Sequence, residues 1–184
     1  MILVANLEKT LVKTPRRIAF GFSLSAIPLL ERLKVSNQVD QIFLSDTSEF
    51  LSEEKTLGLI QSKPKVFLKD NWRKNSQIIF VGSIGAVTRL ISPFIESKKN
   101  DPAILVMDSK AKNIIPILGG HKQCGDGFAN ELASALDAEA IFTSDSFTER
   151  RIPLDCFGEG WGWKRGGTDL DWRKLMISQS KKQK

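Results

Sequence analysis

The chain has 184 residues, of which 41% are hydrophobic and 26% charged, values typical of a globular protein that buries its own core. No apolar run approaches the roughly 20 residues that a membrane helix needs, and an acid interrupts the short apolar patch near the start, which argues against a signal peptide. Only two cysteines occur, without the close spacing of a metal knuckle or redox motif. We therefore expect a cytoplasmic protein without a disulfide framework.

The net charge of +6 is concentrated at the C-terminal end of the sequence. Residues 173–184 hold five lysines or arginines and no acid, which leaves about +1 for residues 1–172. A basic tail of this kind is more often a solvated terminus than a binding surface. We expect neither nucleic acid nor a membrane as a partner, and nucleic-acid association is a minor hypothesis.

The first half of the chain alternates short apolar runs with helical patterns. Strands are predicted at 17–22, 41–45, 66–68 and 78–81. Helices are predicted at 24–33, with Ser23 as the N-cap, and within 45–62, where Pro64 ends the pattern.

The second half continues the alternation and sets the predicted domain limits. A helix is expected at 85–97, which Pro93 ends early, and another at 127–136; strands are expected at 103–107, 114–118 and 140–143. Pro116 indicates an edge or end position for its strand. Residues 1–145 are thus predicted to form a three-layer α/β/α domain with a mostly parallel sheet. Residues 146–184, rich in glycine and tryptophan, are predicted to begin a linker or middle region with a basic tail.

Candidate site residues begin after the strand at 78–81. Gly82 and Gly85 lie between a strand and a helix, where the backbone can approach a ligand and helix N–H groups can bind an anion, although an ordinary tight turn needs the same residues. Neither nucleotide fingerprint is complete, so ATP and NAD are disfavoured. Arg89 stands in a mainly apolar helical pattern, either binding a carboxylate or covering the core with its stem. Asp101, before a proline, is either a site residue or a turn former.

A second group of candidates follows the strand at 114–118. His121 is the only histidine in the chain and the natural candidate for a general base near neutral pH, unless it merely braces the turn. Asp126 can orient that imidazole or cap the helix that follows. Gly119 and Gly120 can offer backbone N–H groups to a developing oxyanion. One histidine with scattered acids is a poor metal set, and no nucleophilic-serine motif is present.

These motifs together resemble a known family. The run at 81–143 looks like the N-terminal domain of the cobalt-precorrin 5A hydrolases, the CbiG proteins of cobalamin biosynthesis. In that family, a helix containing arginine and proline leads to an Asp-Pro strand and then to a Gly-His step followed by Asn or Asp. The matching positions here are Gly85, Arg89, Pro93, Asp101, Pro102, Gly120, His121 and Asp126. The segment at 157–172 also resembles the region after that domain, especially in forms fused to a precorrin-3B C17-methyltransferase.

The resemblance implies a hydrolase that opens the ring-A δ-lactone of cobalt-precorrin 5A and releases acetaldehyde. It implies no cofactor of the protein's own, because cobalt is expected only inside the tetrapyrrole substrate. We assign catalytic roles to His121, Asp126 and Asp101. The residues assigned to substrate binding are Gly82, Gly85, Arg89, Gly119 and Gly120.

The sequence departs from the family pattern in two ways. Lys122, Gln123 and Cys124 stand where the family often has small residues. Full-length members also continue into a C-terminal domain that has no counterpart in this sequence. A separate C-terminal-type domain or the C17-methyltransferase is therefore an expected partner. The alternative function is a non-catalytic tetrapyrrole-binding or scaffold module.

Overall fold

The computed structural model describes residues 15–46, 58–120, 123–143 and 167–181. The strands are β1 (Arg16–Gly21), β2 (Gln41–Ser45), β3 (Leu59–Ser62), β4 (Ser76–Val81), β5 (Ala103–Met107), β6 (Asn113–Leu118) and β7 (Glu139–Ala140). The helices are α1 (Ile27–Val35), α2 (Pro64–Asn71), α3 (Ile84–Ile91), α4 (Gly125–Leu136) and α5 (Asp169–Lys181), with 3-10 turns at Leu24–Ala26 and Ser92–Phe94. None of the helices in these ranges is long and apolar enough to cross a membrane.

The seven strands form one sheet in the order β3-β2-β1-β4-β5-β6-β7. Neighbouring strands run parallel except β5 and β6, which form an antiparallel pair with a register shift between Ile104 and Leu105. The predicted α/β fold with a mostly parallel sheet is confirmed.

Successive side chains of the central strands point to opposite faces of the sheet, which gives two separate hydrophobic cores. Ile18 and Phe20 face α2 and α3, whereas Ala19 between them faces α1 and α4. Both faces are covered, so β4 is buried along its whole length, as parallel strands usually are. On the α2 side the rings of Phe20 and Phe67 lie 4.6 Å apart between centroids.

Two of the predicted elements are wrong in type. The apolar run at 66–68 belongs to α2, because Pro64 occupies the first helical turn and starts this helix instead of ending the one before it. Phe67 and Leu68 are buried, and a short apolar run cannot distinguish a strand from a buried helix segment. The end of the helix predicted within 45–62 is strand β3, whereas residues 47–57 lie outside the described ranges.

Several predicted boundaries also shift. Ser23 precedes a 3-10 turn, and its hydroxyl pairs with that of Ser25 at 2.8 Å instead of capping the helix. Strand β7 is shorter than the predicted 140–143 and pairs only with Asn113 and Ile114. Pro116 therefore lies where the outer side of β6 has no strand neighbour among the described residues. Helix α5 falls within 146–184, and the interpretation of 144–166 lies outside the described ranges.

The turn between β5 and β6 reverses the chain direction through one carboxylate. Asp108 accepts hydrogen bonds from the backbone N–H groups of Lys110 at 2.9 Å, Lys112 at 3.0 Å and Asn113 at 2.7 Å. Burial acts to raise the pKa of Asp108, but these bonds to the charged form outweigh it and hold the pKa below the usual value.

Asp108→Asn should destabilise the protein more at pH 7 than at pH 3. A lowered folded-state pKa means that the ionised carboxylate adds stability above its unfolded pKa of about 3.9, and this stability is lost as the pH falls through the folded-state value. Urea unfolding at both pH values checks this. Asp70→Asn, which removes an exposed carboxylate on α2 that accepts none of these bonds, is the matched control. Equal destabilisation by Asp108→Asn at both pH values would contradict the account.

Candidate functional site

The predicted site residues lie at two opposite edges of the sheet. Gly82 and Gly85 follow β4 at the carboxyl edge, where the parallel strands end. Gly119 follows β6, which runs antiparallel to β5, and therefore lies beside Ala103 at the amino edge. Five-residue β5 separates the two edges by about 13 Å at the usual rise per residue. The structure thus divides the candidates into two groups.

The carboxyl-edge group lies at the point where the strand order reverses, between β1 and β4, a common place for ligands in open α/β sheets. Gly82 donates its N–H to the carbonyl of Met107 at 2.9 Å. A Cβ on Gly82 would lie 2.7 Å from the ring of Phe22, so this glycine lets the ring pack against the backbone. Ser83 caps α3 by accepting from the N–H of Ala86 at 3.4 Å.

Arg89 lies on the exposed side of α3, whereas Val87 and Ile91 form its buried face. Its guanidinium folds back over the first turn of the helix, where Nη1 donates to the carbonyl of Gly85 at 3.1 Å. Gly85 keeps this space open, since a Cβ there would lie 3.3 Å from Nη1. Arg89 is therefore exposed near the carboxyl edge, and a carboxylate-binding role for it stays a prediction.

At the amino edge, Asp101 is a buried residue, only 3% exposed. Its Oδ1 accepts from the backbone N–H of Glu96 at 3.0 Å and from Nε1 of Trp72 at 3.4 Å. Its own N–H donates to the carbonyl of Ser97 at 3.0 Å. These bonds match the turn-forming interpretation, and a catalytic role for Asp101 stays a prediction.

Gly119, Gly120 and Asp126 come together in the loop before α4. Gly119 has a positive φ of 69°, and a Cβ there would lie 2.7 Å from the carbonyl oxygen of Pro102. The carboxylate of Asp126 lies over Gly120, 2.5 Å from where a Cβ would stand. Asp126 is in the first turn of α4 and does not cap the helix, because α4 begins at Gly125. His121 lies outside the described residues, so its pairing with Asp126 stays a prediction.

A buried amide pair, which the sequence analysis did not single out, holds this loop in place. The Nε2 group of Gln77 donates to the carbonyl of Gln123 at 3.0 Å, and its Oε1 accepts from Nε of Arg17 at 3.0 Å. Arg17 in turn pairs with Glu131 at 2.6 Å, between Nη2 and Oε2, and its guanidinium lies 4.1 Å from the ring centroid of Phe128. The one signal in the sequence is a glutamine directly before the apolar run at 78–81.

Gln123 connects this loop to two neighbouring turns. Its Oε1 accepts from the N–H of Asn75 at 3.3 Å, and its Nε2 donates to the carbonyl of Lys99 at 3.5 Å. Gln123 is only 7% exposed. Gln123, one of the three positions that depart from the family's small residues, therefore connects internal parts of the fold.

The described part of the chain offers no group of three or more His, Cys, Asp or Glu side chains that could hold a metal ion.

Comparison with known proteins shows which family this region matches. Residues 66–146 match the family model described as cobalamin synthesis G, N-terminal. This part of the chain belongs to the cobalamin synthesis G family, as its N-terminal region. The match runs from within α2 to beyond β7 and includes both groups of candidate residues.

Two curated relatives extend the match. The cobalt-precorrin-5A hydrolase of Priestia megaterium is 31% identical over 130 residues, which cover 71% of this chain and 35% of that protein. The enzyme of the same name from Salmonella typhimurium is 30% identical over 78 residues, covering 42% of this chain and 22% of that protein. The chain spans about a third or less of the length of these relatives.

A solved structure agrees with the fold. The cobalamin biosynthesis protein G homologue from Sulfolobus solfataricus superposes with a TM-score of 0.54 at 24% identity, over 71% of this chain and 37% of that one. At this identity the likeness shows the α/β fold alone.

Gly119→Ala should lower the free energy of unfolding by about 2–5 kcal/mol, because it adds a left-handed alanine and a clash with the backbone at Pro102. Gly127→Ala is the matched control, since nothing lies within 4 Å of the added methyl group, and it should stabilise α4 by up to about 1 kcal/mol. Thermal and urea unfolding measure both changes. Equal effects of the two substitutions would show that the loop does not need a glycine at 119.

Gln77→Leu should lower the free energy of unfolding by about 1–3 kcal/mol, because it leaves the Gln123 carbonyl and the Arg17 Nε without their partner. Gln61→Leu, at an exposed position on β3, is the control and should change stability by less than about 0.5 kcal/mol. Hydrogen exchange should show the loss at the start of α4. A Gln77→Leu protein as stable as the parent would argue against the brace.

Proposed function

We propose that this chain acts in corrin-ring biosynthesis, as the N-terminal part of a hydrolase for cobalt-precorrin 5A. The proposed reaction opens the ring-A δ-lactone and releases acetaldehyde. The observation that carries the proposal is the 31% identity over 130 residues with the cobalt-precorrin-5A hydrolase of Priestia megaterium. We also propose that the protein works in the cytoplasm, because its relatives are biosynthetic enzymes.

The proposed chemistry depends on the amino edge. His121 would activate water for attack on the lactone carbonyl, Asp126 would orient the imidazole, and Asp101 would support the loop. Backbone N–H groups at Gly119 and Gly120 would stabilise the oxyanion. The position of the Asp126 carboxylate over Gly120, one residue before His121, supports this arrangement.

The carboxyl edge supplies a separate proposed binding set. Gly82 and Gly85 leave the backbone accessible, and Arg89 would attract carboxylates of the tetrapyrrole. Because this set lies across the sheet from the His121 loop, we propose that it binds substrate groups far from the reacting lactone.

A second candidate function follows from the length of the match. The chain covers 35% of the Priestia megaterium hydrolase, so a separate chain with the remaining part could be needed for turnover. The module would then bind the tetrapyrrole without catalysis and work with a C-terminal-type domain or a precorrin-3B C17-methyltransferase.

Incubation of the full chain with cobalt-precorrin 5A tests these functions, with acetaldehyde release and ligand binding measured separately. We expect release from the parent chain and a loss of about 10²–10⁴-fold in His121→Gln, since general base catalysis contributes that much. Binding should be retained. Lys65→Gln, an exposed site on α2, is the control for substitution as such.

The outcomes separate the candidates. Binding by the parent chain without acetaldehyde release would select the non-catalytic module, and addition of a C-terminal-type domain should then restore release. Unchanged release by His121→Gln would remove this residue as the base. Absence of both binding and release, with and without the added domain, would overturn the proposed function.

A further inference from the structure

Four exposed basic residues lie in two adjacent turns at the amino edge of the sheet. Arg73 and Lys74 stand in the turn before β4, and Lys98 and Lys99 stand in the turn before β5. Because β4 and β5 are neighbours in the sheet, the two turns are adjacent. We call these four residues the basic edge surface.

Buried polar groups fix the backbones of the two turns against each other. One amide, that of Gln123, bonds to Asn75 in the first turn and to Lys99 in the second. The Asp101 carboxylate likewise accepts hydrogen bonds from Trp72, just before the first turn, and from the backbone of Glu96, just before the second. The four cations therefore extend from anchored turns, although their side chains are exposed.

The basic edge surface is not neutralised by the described part of the fold. None of its four members forms a salt bridge with another described residue. The ion pair among the described residues joins Arg17 and Glu131. The acids nearest in the chain are Asp70 and Glu96, which are exposed, and Asp101, which is buried and bonded; Asp126 lies over Gly120 in the loop before α4. Clustered like charges of this kind raise the local concentration of ligands of the opposite charge.

The carboxyl edge has lysines of its own, but in a different setting. Lys110 and Lys112 belong to the turn that closes around the Asp108 carboxylate, whose charge offsets theirs. The carboxyl edge therefore has the strand-order reversal where ligands commonly bind, but its lysines carry less net positive charge than the basic edge surface.

We propose that the basic edge surface binds the carboxylate side chains of a tetrapyrrole macrocycle, at the amino edge of the sheet. This inference rests on the proposed function and names the surface that holds the substrate. It places the macrocycle beside the Gly119–Gly120 loop, with its carboxylates on the turns before β4 and β5.

Uroporphyrin is a suitable probe, because each of its rings carries an acetate and a propionate. Coproporphyrin, in which methyl groups replace the acetates, provides the lower-charge comparison. Quenching of tryptophan fluorescence, confirmed by calorimetry, gives the Kd for the full chain. Trp72, half-buried beside Arg73, is a local reporter.

The double variants Arg73→Gln/Lys74→Gln and Lys98→Gln/Lys99→Gln should each raise the Kd for uroporphyrin about fivefold or more, and the effect should shrink at high salt. The matched control, Lys110→Gln/Lys112→Gln, removes the same charge from exposed sites and should change the Kd less than about twofold. Coproporphyrin should bind more weakly than uroporphyrin. Circular dichroism and thermal unfolding verify that all variants fold.

Three results would overturn the proposal. The first is an equal effect of the control and of the two double variants, which would indicate non-specific attraction. The second is a loss confined to Arg89→Gln, which would place the ligand at the carboxyl edge. The third is no binding of uroporphyrin by the parent chain. The proposed function would survive each of them if acetaldehyde release is observed.

Discussion

The side-chain amide of Gln77 is the contact on which the amino edge of this fold depends. It lies at the start of a central strand, 2% exposed, and joins Arg17 of β1 to the carbonyl of Gln123 before α4. A buried amide with partners on both sides favours one geometry. Loss of either hydrogen bond would leave a buried polar group unpaired and lower the free energy of unfolding. The loop that follows β6 is therefore held against the sheet by polar bonds as well as by packing.

Because β6 runs antiparallel to β5, the loop that follows β6 lies at the amino edge of the sheet. In an all-parallel sheet, a loop that follows a strand would lie at the carboxyl edge, together with Gly82 and Gly85. The turn around Asp108 reverses the chain, so Gly119 and its neighbours return to the amino edge. Two surfaces result: a strand-order reversal with Arg89 on one side, and a loop flanked by basic turns on the other.

The family match assigns residues 66–146 to the N-terminal region of the cobalamin synthesis G family. The matched region at 66–146 contains both surfaces, so the match alone does not choose between them. The proposal for the amino edge follows from charge, because Arg73, Lys74, Lys98 and Lys99 are exposed on adjacent turns and such a cluster attracts a macrocycle rich in carboxylates. Arg89 at the carboxyl edge stays a separate proposed contact.

The sequence by itself determined strands β2 and β5, because residues 42–44 and 103–107 are continuous apolar runs, and its glycine, arginine and histidine motifs indicated the family that it resembles. It did not determine the type of 66–68, since a short apolar run suits a helix or a strand equally. Only the tertiary structure decided which edge each candidate occupies. Strand direction depends on pairing between distant segments, and the Gln77–Gln123 contact joins residues 46 positions apart, which no local pattern encodes.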